Sequence, residues 1–350
     1  MIIDELLATV KELGASDLHL TVGLSPKCRV NGRLIDIGLP KLVQSDTVAI
    51  ISPMLNQKLE SRLDEYGEVD FSYSISNVGR CRVNVFKQRG SYAAVLRLVG
   101  SNIPTPESLG IPDSVINLIQ KKRGLILVTG PTGSGKSTTL ASLIDLINSN
   151  YSQHIITLED PIEYLHNHKK SIVNQREIGM DTKSYANALR AALRADPDVI
   201  LVGEMRDLDT ISIAITAAET GHLVFSTLHT IGAASTIDRI IDVFPSYQQQ
   251  QIRIQLATVL ESVISQQLIP RENKKGRIAA FEVMHATSAI RNLIRESKTY
   301  QITSSIQTNR KIGMQTMDDN LFELCSKREI SVEDALLFAQ DKAVLERRLF

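Results

Sequence analysis

The segment GPTGSGKS at residues 130–137 constrains the fold of this chain more than any other feature of its sequence. It directly follows the apolar run 125–128 and directly precedes a helical pattern at 138–147, the context in which such a loop binds phosphate. Glycines let the backbone bend so that successive N–H groups point inward, and the following helix adds its positive end. The alternative is a glycine turn that merely caps a helix, but strand, spacing, lysine and serine together favour a P-loop. The predicted phosphate-binding residues are Gly130, Pro131, Thr132, Gly133, Ser134, Gly135, Lys136, Ser137 and Thr138.

From residue 113 onward, short apolar runs alternate with helical patterns. The runs lie at 125–128, 155–158, 199–202 and 223–226. Helices are predicted over 138–147, 184–195 and 248–268, and about the last 65 residues have a helical pattern throughout. This alternation is typical of a parallel sheet covered on both faces, so the sequence predicts an α/β domain.

The first 100 residues have a different pattern, which predicts a smaller α+β unit. A short helix is predicted over 4–13, and strands are predicted over 18–22, 27–30, 70–75, 80–86 and 92–99, with Asn31 and Gly32 as a hairpin turn. Proline and glycine then interrupt regular structure. We therefore expect domains at 1–100 and 113–350, joined by a linker at 101–112.

Two acidic clusters follow apolar runs of the predicted sheet. Glu204 ends the segment DVILVGE, and the cluster EDPIE occupies 159–163. Because ligands bind at the carboxyl ends of the strands in open α/β sheets, carboxylates there can orient or deprotonate an attacking water. Each cluster alone could instead be a solvated loop or helix cap. We expect Glu204 to be the base, while the residues themselves leave open which carboxylate is base and which belongs to a Mg²⁺ shell.

Two histidines flank the fourth apolar run. His229 follows it at the carboxyl end, where a side chain can sense the γ-phosphate of a nucleotide, and His222 precedes it at the amino end. His222 is therefore placed to contact a neighbouring domain or subunit. The alternative for each is an ordinary structural hydrogen bond, and the region supplies no partners for metal ligation.

Arginines stand out in the first 100 residues, where Arg80, Arg82 and Arg97 lie on predicted strands. Such arginines usually form a solvated face. The functional alternative is an arginine finger, which supplies positive charge to the γ-phosphate across a domain or subunit boundary. Arg194 and Arg206 are also near enough to the motifs in sequence to act within the same chain.

Composition excludes several classes of protein. The 39 basic residues balance 39 acidic ones, which disfavours direct nucleic-acid binding through phosphate neutralisation. No apolar run reaches the roughly 18 residues needed to span a membrane, and the N-terminus lacks a basic signal-peptide start. The three cysteines have no CxxC spacing, so a zinc site and a disulfide framework are not expected and a cytoplasmic location is.

Four segments in this order resemble the Walker A, Asp box, Walker B and His box of the secretion-superfamily ATPases: 130–137, 156–163, 196–207 and 220–230. Within that superfamily the chain is similar to the type IV pilus retraction ATPases. ASDLHL at 15–20 and AIRNLIRE at 289–296 carry this similarity, together with the lack of four cysteines for a zinc site. The similarity extends over nearly the whole chain.

The resemblance implies a PAS-like N-terminal domain joined to a RecA-like ATPase domain, with six copies in a ring. ATP and Mg²⁺ would bind between the domains, and hydrolysis would power pilus retraction and twitching motility. The implied partners are an inner-membrane platform protein and a second retraction ATPase, at the inner face of the cytoplasmic membrane. The alternatives are an accessory retraction paralogue, a DNA-translocating or secretion ATPase, and a scaffold that binds ATP without turnover.

The resemblance also implies roles for single residues. Lys136 would contact phosphate, Ser137 and Glu163 would contact Mg²⁺, and Glu204 would be the catalytic acid. His222 and His229 would form the His-box pair. Arg82 and Arg97 are implied as the arginine fingers, in preference to Arg80. In AIRNLIRE the apolar residues are expected to pack inward and the polar ones to face outward, as a determinant of retraction rather than of hydrolysis. An ordinary surface helix is the alternative.

Overall fold

The computed structural model describes residues 3–30, 32–75, 79–99, 102–273 and 276–350. The chain forms two compact units, which are described separately. The first comprises Met1–Asn102 with Pro161–Leu165, and the second comprises Ile103–Asp160 with His166–Phe350. Asn31 of the predicted hairpin turn, and residues 100 and 101 at the predicted boundary, lie outside the described residues.

The first unit is an antiparallel sheet with helices packed on one face. Its elements are α1 (Ile3–Glu12), β1 (Asp17–Leu20), β2 (Lys27–Val30), β3 (Arg33–Asp36), α2 (Gln44–Ile51), α3 (Gln57–Tyr66), β4 (Glu68–Ile75), β5 (Gly79–Gln88) and β6 (Ser91–Leu98). The sheet has the order β3-β2-β1-β6-β5-β4. Cys81, Val83 and Val85 of β5 are fully buried against the helices, because alternate residues of a strand point to the same face.

Helices α2 and α3 were not predicted from the sequence. α3 has clear local signals, because the Asn56 side chain accepts a hydrogen bond from the Leu59 N–H and Gly67 ends the helix at φ +79°. α2 buries Thr47, Ile50 and Ile51 and α3 buries Leu59 and Leu63, so each has few apolar positions from which a helix can be predicted.

The second unit is built on a seven-stranded sheet. It begins with α4 (Asp113–Ile116), β7 (Gly124–Thr129), α5 (Lys136–Asn150), β8 (His154–Glu159), β9 (Ile172–Glu177), α6 (Tyr185–Ala192), β10 (Val199–Val202), α7 (Leu208–Glu219) and β11 (Leu223–Leu228). It continues with α8 (Ala233–Asp242), α9 (Ser246–Val259), β12 (Leu260–Pro270), β13 (Arg277–His285), α10 (Ser288–Arg295), α11 (Ile302–Thr308), α12 (Met317–Ser326), α13 (Val332–Phe338) and α14 (Lys342–Leu349).

The order of this sheet is β13-β12-β7-β11-β10-β8-β9. All neighbouring strands are parallel except the β12–β13 hairpin. Successive residues of β7 belong to different cores, because Leu125 and Leu127 pack with α6 to α10 whereas Ile126 and Val128 pack with α5. The sheet is therefore covered on both faces, as the continuous apolar strands predict.

The four predicted strands of this unit are confirmed as β7, β8, β10 and β11. The predicted helix 248–268 is wrong beyond residue 259, because the chain leaves α9 and continues as β12. Val263 and Ile264 fit either element, since a strand buried on both faces has no polar alternation to distinguish it from a helix. Among the described residues after β13, the regular elements are helical, as predicted.

Residues 103–112, part of the predicted linker, belong to the second unit, where Ile111 is buried beside α5. The predicted domain bounds remain a prediction. The contacts divide the chain after Asn102 and group Pro161–Leu165 with the first unit, which no composition change along the sequence indicates.

The segment 289–296 forms most of α10 and requires a correction. Ile290 and Ile294 are buried as predicted, but Arg291 does not face outward. Its guanidinium donates to the carbonyl oxygens of Ala257 (2.6 Å) and Thr258 (2.7 Å), at the end of α9, and to the Glu261 carboxylate (2.9 Å). A basic side chain satisfies the last carbonyl groups of a helix in this way.

Glu282 of β13 is a buried carboxylate that joins two helix starts. It accepts hydrogen bonds from the backbone N–H of Ala233, which begins α8 (2.7 Å), from that of Met317, which begins α12, and from the Gln340 side chain. Burial raises the pKa of Glu282, although these hydrogen bonds lower it. The carboxylate thus binds the loop after β11 to the C-terminal helices.

Candidate active site

The loop between β7 and α5 has the backbone that its glycines predict. Gly130, Gly133 and Gly135 have φ values of +138°, +80° and +90°. Residues with a Cβ atom rarely adopt such positive φ angles. A Cβ atom on Gly130 would also collide with the carbonyl oxygen of Gln266 in β12. The loop therefore lies directly against β12, and glycine is required at residue 130 on both grounds.

Lys136 lies at the first position of α5 with a buried side chain, 8 % exposed. Its ammonium group donates to the carbonyl oxygens of Gly130 (2.8 Å) and Pro131 (3.0 Å), so it is held over the loop. Ser137 is exposed beside it at the start of the helix. The loop thus combines backbone N–H groups, a helix N-terminus and an ammonium, which together bind polyphosphate.

Glu204 lies just beyond the carboxyl end of β10, with a side chain that is 16 % exposed. Its Oε2 atom contacts Nε of Arg206 at 2.6 Å and Nε2 of His229 at 3.3 Å. The other oxygen, Oε1, has no hydrogen bond within the part of the chain that the structure describes. The carboxylate is therefore fixed by one oxygen and has the other available.

The sheet order brings this carboxylate to the same edge as the P-loop. β7, β11 and β10 are parallel neighbours, so the loop after β7, His229 after β11 and Glu204 after β10 share one edge. With strands about 4.8 Å apart, β10 and β7 are separated by about 10 Å. Glu204 and His229 thus lie where the sequence predicts them.

Tyr185 of α6 is a neighbour of this site that sequence reasoning missed. A Cβ atom on Gly203 would lie 2.8 Å from its hydroxyl, so glycine lets the phenol approach the backbone beside Glu204. Burial raises the pKa of the Tyr185 hydroxyl, and the carboxylates of Glu204 and Asp160 raise it further. Tyr185 therefore places an uncharged phenol beside the carboxylates of Glu204 and Asp160.

Glu159, in the other predicted acidic cluster, ends β8 and already has partners. It accepts hydrogen bonds from Oγ1 of Thr157 (2.6 Å) and Nε2 of Gln175 (3.0 Å). His222 lies at the opposite edge of the sheet, where its Nδ1 contacts the Ala217 carbonyl oxygen at 2.9 Å. Because the six-residue strand β11 separates the two histidines, His222 does not join Glu204 within this unit.

A cavity of about 290 Å³ adjoins the start of α5. Its walls include Leu268 and Ile278 from the β12–β13 hairpin and Leu109 from the segment before α4. Arg271 and Arg277 also line it. Apolar walls with a few charged groups are typical of small-ligand sites.

The family model for Type II/IV secretion system proteins matches residues 1–336. The chain belongs to this family. The type IV pilus retraction ATPase PilT of Pseudomonas aeruginosa is 52% identical to it over 335 residues, 96% of this chain and 97% of that protein. The type IV pilus ATPase PilU of the same organism is 40% identical over 96% of this chain and 88% of that protein. The crystal structure of the pilus retraction motor PilT with bound ADP superposes with a TM-score of 0.91, at 52% identity and 99% coverage of both chains.

These similarities confirm the predicted resemblance to the pilus retraction ATPases and the enzyme class, an ATPase. They also confirm the fold class, a RecA-like α/β unit with a smaller α+β unit. No helix in the described ranges has the length and apolar character that crossing a membrane requires.

The Asp-box residue Glu163 and the predicted arginine fingers belong to the first unit. Glu163 is exposed in the segment Pro161–Leu165. Arg82 and Arg97 are direct cross-strand partners on β5 and β6. Nε of Arg97 contacts Oδ1 of the buried Asp17 at 2.8 Å, while most of the Arg97 side chain, 69 %, remains exposed. Their catalytic roles remain predictions.

Asp17 supplies a negative charge beside Arg97 of this arginine pair. Burial raises the pKa of Asp17, but the hydrogen bond from Ser16 (2.7 Å) and the Arg97 guanidinium outweigh burial and lower it overall. The carboxylate stays charged beside Arg97, and it orients that guanidinium while Arg82 remains exposed.

The residues at the P-loop fit a magnesium nucleotide. Mg²⁺ prefers oxygen ligands and usually keeps several waters with one or two protein oxygens. Ser137 offers an exposed hydroxyl at the helix start beside the P-loop, whereas Glu163, an exposed carboxylate of the first unit, stays a predicted Mg²⁺ contact. No group of three or more His, Cys, Asp or Glu side chains that could form a metal site by themselves occurs in the described ranges.

Proposed function

We propose that this chain binds ATP with Mg²⁺ at residues 130–138, hydrolyses it with Glu204 as general base, and thereby drives type IV pilus retraction. The arrangement of Glu204 carries the proposal. One of its oxygens is held by Arg206 and His229, and the other is available at the edge of the sheet that also has the P-loop. A fixed carboxylate of this kind can accept the proton of an attacking water.

The P-loop side supplies charge and orientation. The loop N–H groups and the Lys136 ammonium would bind the phosphates, and the exposed Ser137 hydroxyl, with Glu163, would hold Mg²⁺. When bound, the cation neutralises charge on the β- and γ-phosphate oxygens. His229, which touches Glu204, would report on the γ-phosphate, and the cavity lined by Leu268 and Ile278 suits the nucleoside.

The exposed arginines of the first unit would complete the site from a neighbouring subunit. Arg82 and Arg97 lie side by side on one sheet face, and Asp17 orients Arg97. An arginine supplied in trans stabilises charge on the transferred phosphoryl group. A site completed in trans requires an assembly of several subunits, and we infer the ring of six that the family resemblance implies, in which hydrolysis drives a change of conformation.

The pilus machinery supplies the proposed partners. The ring would act on an inner-membrane platform protein, peripheral to the cytoplasmic face where ATP is available, and a second retraction ATPase would assist it. Identity is higher to PilT than to PilU, 52% against 40%, which supports the role of main motor over that of accessory paralogue.

Glu204→Gln tests the proposal, because glutamine keeps the size of the side chain and removes the base. We expect ATP hydrolysis to fall by about 10² to 10⁴ in a phosphate-release assay, with nucleotide binding retained. Asp198→Asn is the matched control, an acid-to-amide change at the other end of β10, where Asp198 accepts the His154 N–H. Unchanged turnover in Glu204→Gln would refute the assignment of the base, and binding without turnover in the unmodified protein would refute the motor.

A further inference from the structure

β12 extends beyond the end of β7 and forms a wall behind the P-loop. The last registered pair of the two strands is Ser265 with Thr129, so Gln266 lies beside the first residue of the loop. Gln266 is buried, 3 % exposed, and its carbonyl oxygen occupies the space that a side chain on Gly130 would need. The backbone of β12 thus fixes the start of the loop.

The Gln266 side chain reaches the other end of the same loop. Its Oε1 accepts a hydrogen bond from the Thr139 hydroxyl at 2.7 Å, and Thr139 itself is 1 % exposed in the first turns of α5. Its Nε2 would lie 2.9 Å from a Cβ atom on Gly135, the residue that caps α5. One residue therefore contacts both glycines that bound the loop and the helix that carries Lys136.

The next residue of β12, Gln267, makes different contacts. Gln267 is also buried, 6 % exposed, but it points to the opposite face, where its Nε2 donates to the Phe338 carbonyl oxygen at 3.2 Å. The two neighbouring glutamines have the same chemistry and nearly the same burial. Only Gln266 contacts the phosphate-binding loop.

From these contacts we propose that Gln266, paired with Thr139, is a positioning residue that sets the geometry of the P-loop for nucleotide binding. The proposal rests on the proposed ATP site. Gln266 and Thr139 also line the cavity beside α5, so the glutamine shapes the loop and the cavity wall rather than acting on the phosphates. An interaction made equally with bound substrate and with the transition state changes KM and leaves kcat nearly unchanged. Loss of the pair is therefore expected to weaken nucleotide binding without changing the chemical step.

The test compares Gln266→Leu with Gln267→Leu, each of which removes one buried amide. We expect Gln266→Leu to raise the KM for ATP and the Kd for a fluorescent ADP about tenfold, with kcat within twofold of the original. Gln267→Leu should lower Tm and leave both constants unchanged. Equal effects of the two variants on Kd, or no effect of either, would overturn the proposal.

Conservative variants distinguish loss of the Gln266–Thr139 hydrogen bond from misfolding of the chain. Gln266→Glu keeps an oxygen acceptor for the Thr139 hydroxyl and Thr139→Ser keeps the donor, so both should bind ADP better than Gln266→Leu and Thr139→Val. Gln266→Leu combined with Thr139→Val should weaken binding no more than the stronger single change, because both act through one contact. Additive losses would overturn the pairing. Because ADP binding is measured directly, a chain that binds ADP but does not hydrolyse ATP refutes the proposed function and still tests Gln266.

Discussion

His166 has an almost fully buried imidazole, with its side chain 2 % exposed, near the carboxylate of Asp145 at 3.9 Å. Burial lowers the pKa of His166 to about 4, from an ordinary value near 6.5, and Asp145 offsets only part of this effect. The imidazole is therefore neutral in the folded protein at pH 5, whereas it is charged in the unfolded chain.

This difference makes stability depend on pH. Because the unfolded chain binds the proton more tightly, the contribution of His166 to stability is present above pH 6.5 and is lost as pH falls toward 4. Once the pH is below 4, this effect lowers the free energy of unfolding by about 3 kcal/mol. We expect His166→Gln to have a smaller drop in Tm between pH 7 and pH 5 than the unmodified protein. Parallel drops would show that the imidazole does not titrate as its burial requires.

Single residues of the site differ in how much of their role is visible in the sequence. Lys136 and Glu204 follow strands that are recognisable by composition, so their common edge follows from parallel topology alone. Gln266 and Tyr185 contact the site from segments far away in sequence, without any motif. The segment of Gln266 was also predicted to be helical, which concealed the alternation that separates it from Gln267.

Among the elements, α10 differs from expectation in the placement of its polar side chains. Its apolar side was predicted correctly from helical spacing, and Ile290 and Ile294 are fully buried. The polar side is divided, because Arg291 folds back onto the end of α9 while Arg295 is exposed. Periodicity separates apolar from polar positions, but it does not tell which long polar side chain returns to the protein.

This division predicts different consequences for two arginines of the same helix. Arg291→Ala leaves the carbonyl groups of Ala257 and Thr258 without their donor and Glu261 without one of its partners, so we expect the free energy of unfolding to fall by about 1–3 kcal/mol. ATPase activity and twitching should then decline together. Arg295→Ala is the matched control and should leave urea unfolding unchanged. Loss of twitching alone in Arg291→Ala, with full stability, would contradict the structural role.

In the whole molecule, the proposed trans contribution of the arginines has a direct test by mixing. Rings of Arg82→Ala lack the finger, rings of Glu204→Gln lack the base, and each is expected to be inactive alone. In rings assembled from equal amounts of the two variants, half of the sites have the base. Half of those sites face a neighbour with an intact arginine, so about a quarter of the original ATPase activity should return. The measurement is phosphate release per subunit.

Arg33→Ala serves as the control for this experiment, since Arg33 is exposed on the edge strand β3 of the same unit and should leave activity intact. Mixed rings no more active than either parent would mean that the arginine and the base act within one chain, or that Arg82 has no part in hydrolysis.

The buried carboxylate of Glu282 has a mechanical consequence at this scale. It ties the first turn of α8, and so the stretch that follows His229, to the first turn of α12. A pull on the C-terminal bundle would thus travel through one acidic side chain to the neighbourhood of the catalytic base. Load on the C-terminal helices and chemistry at the sheet edge are thereby mechanically linked.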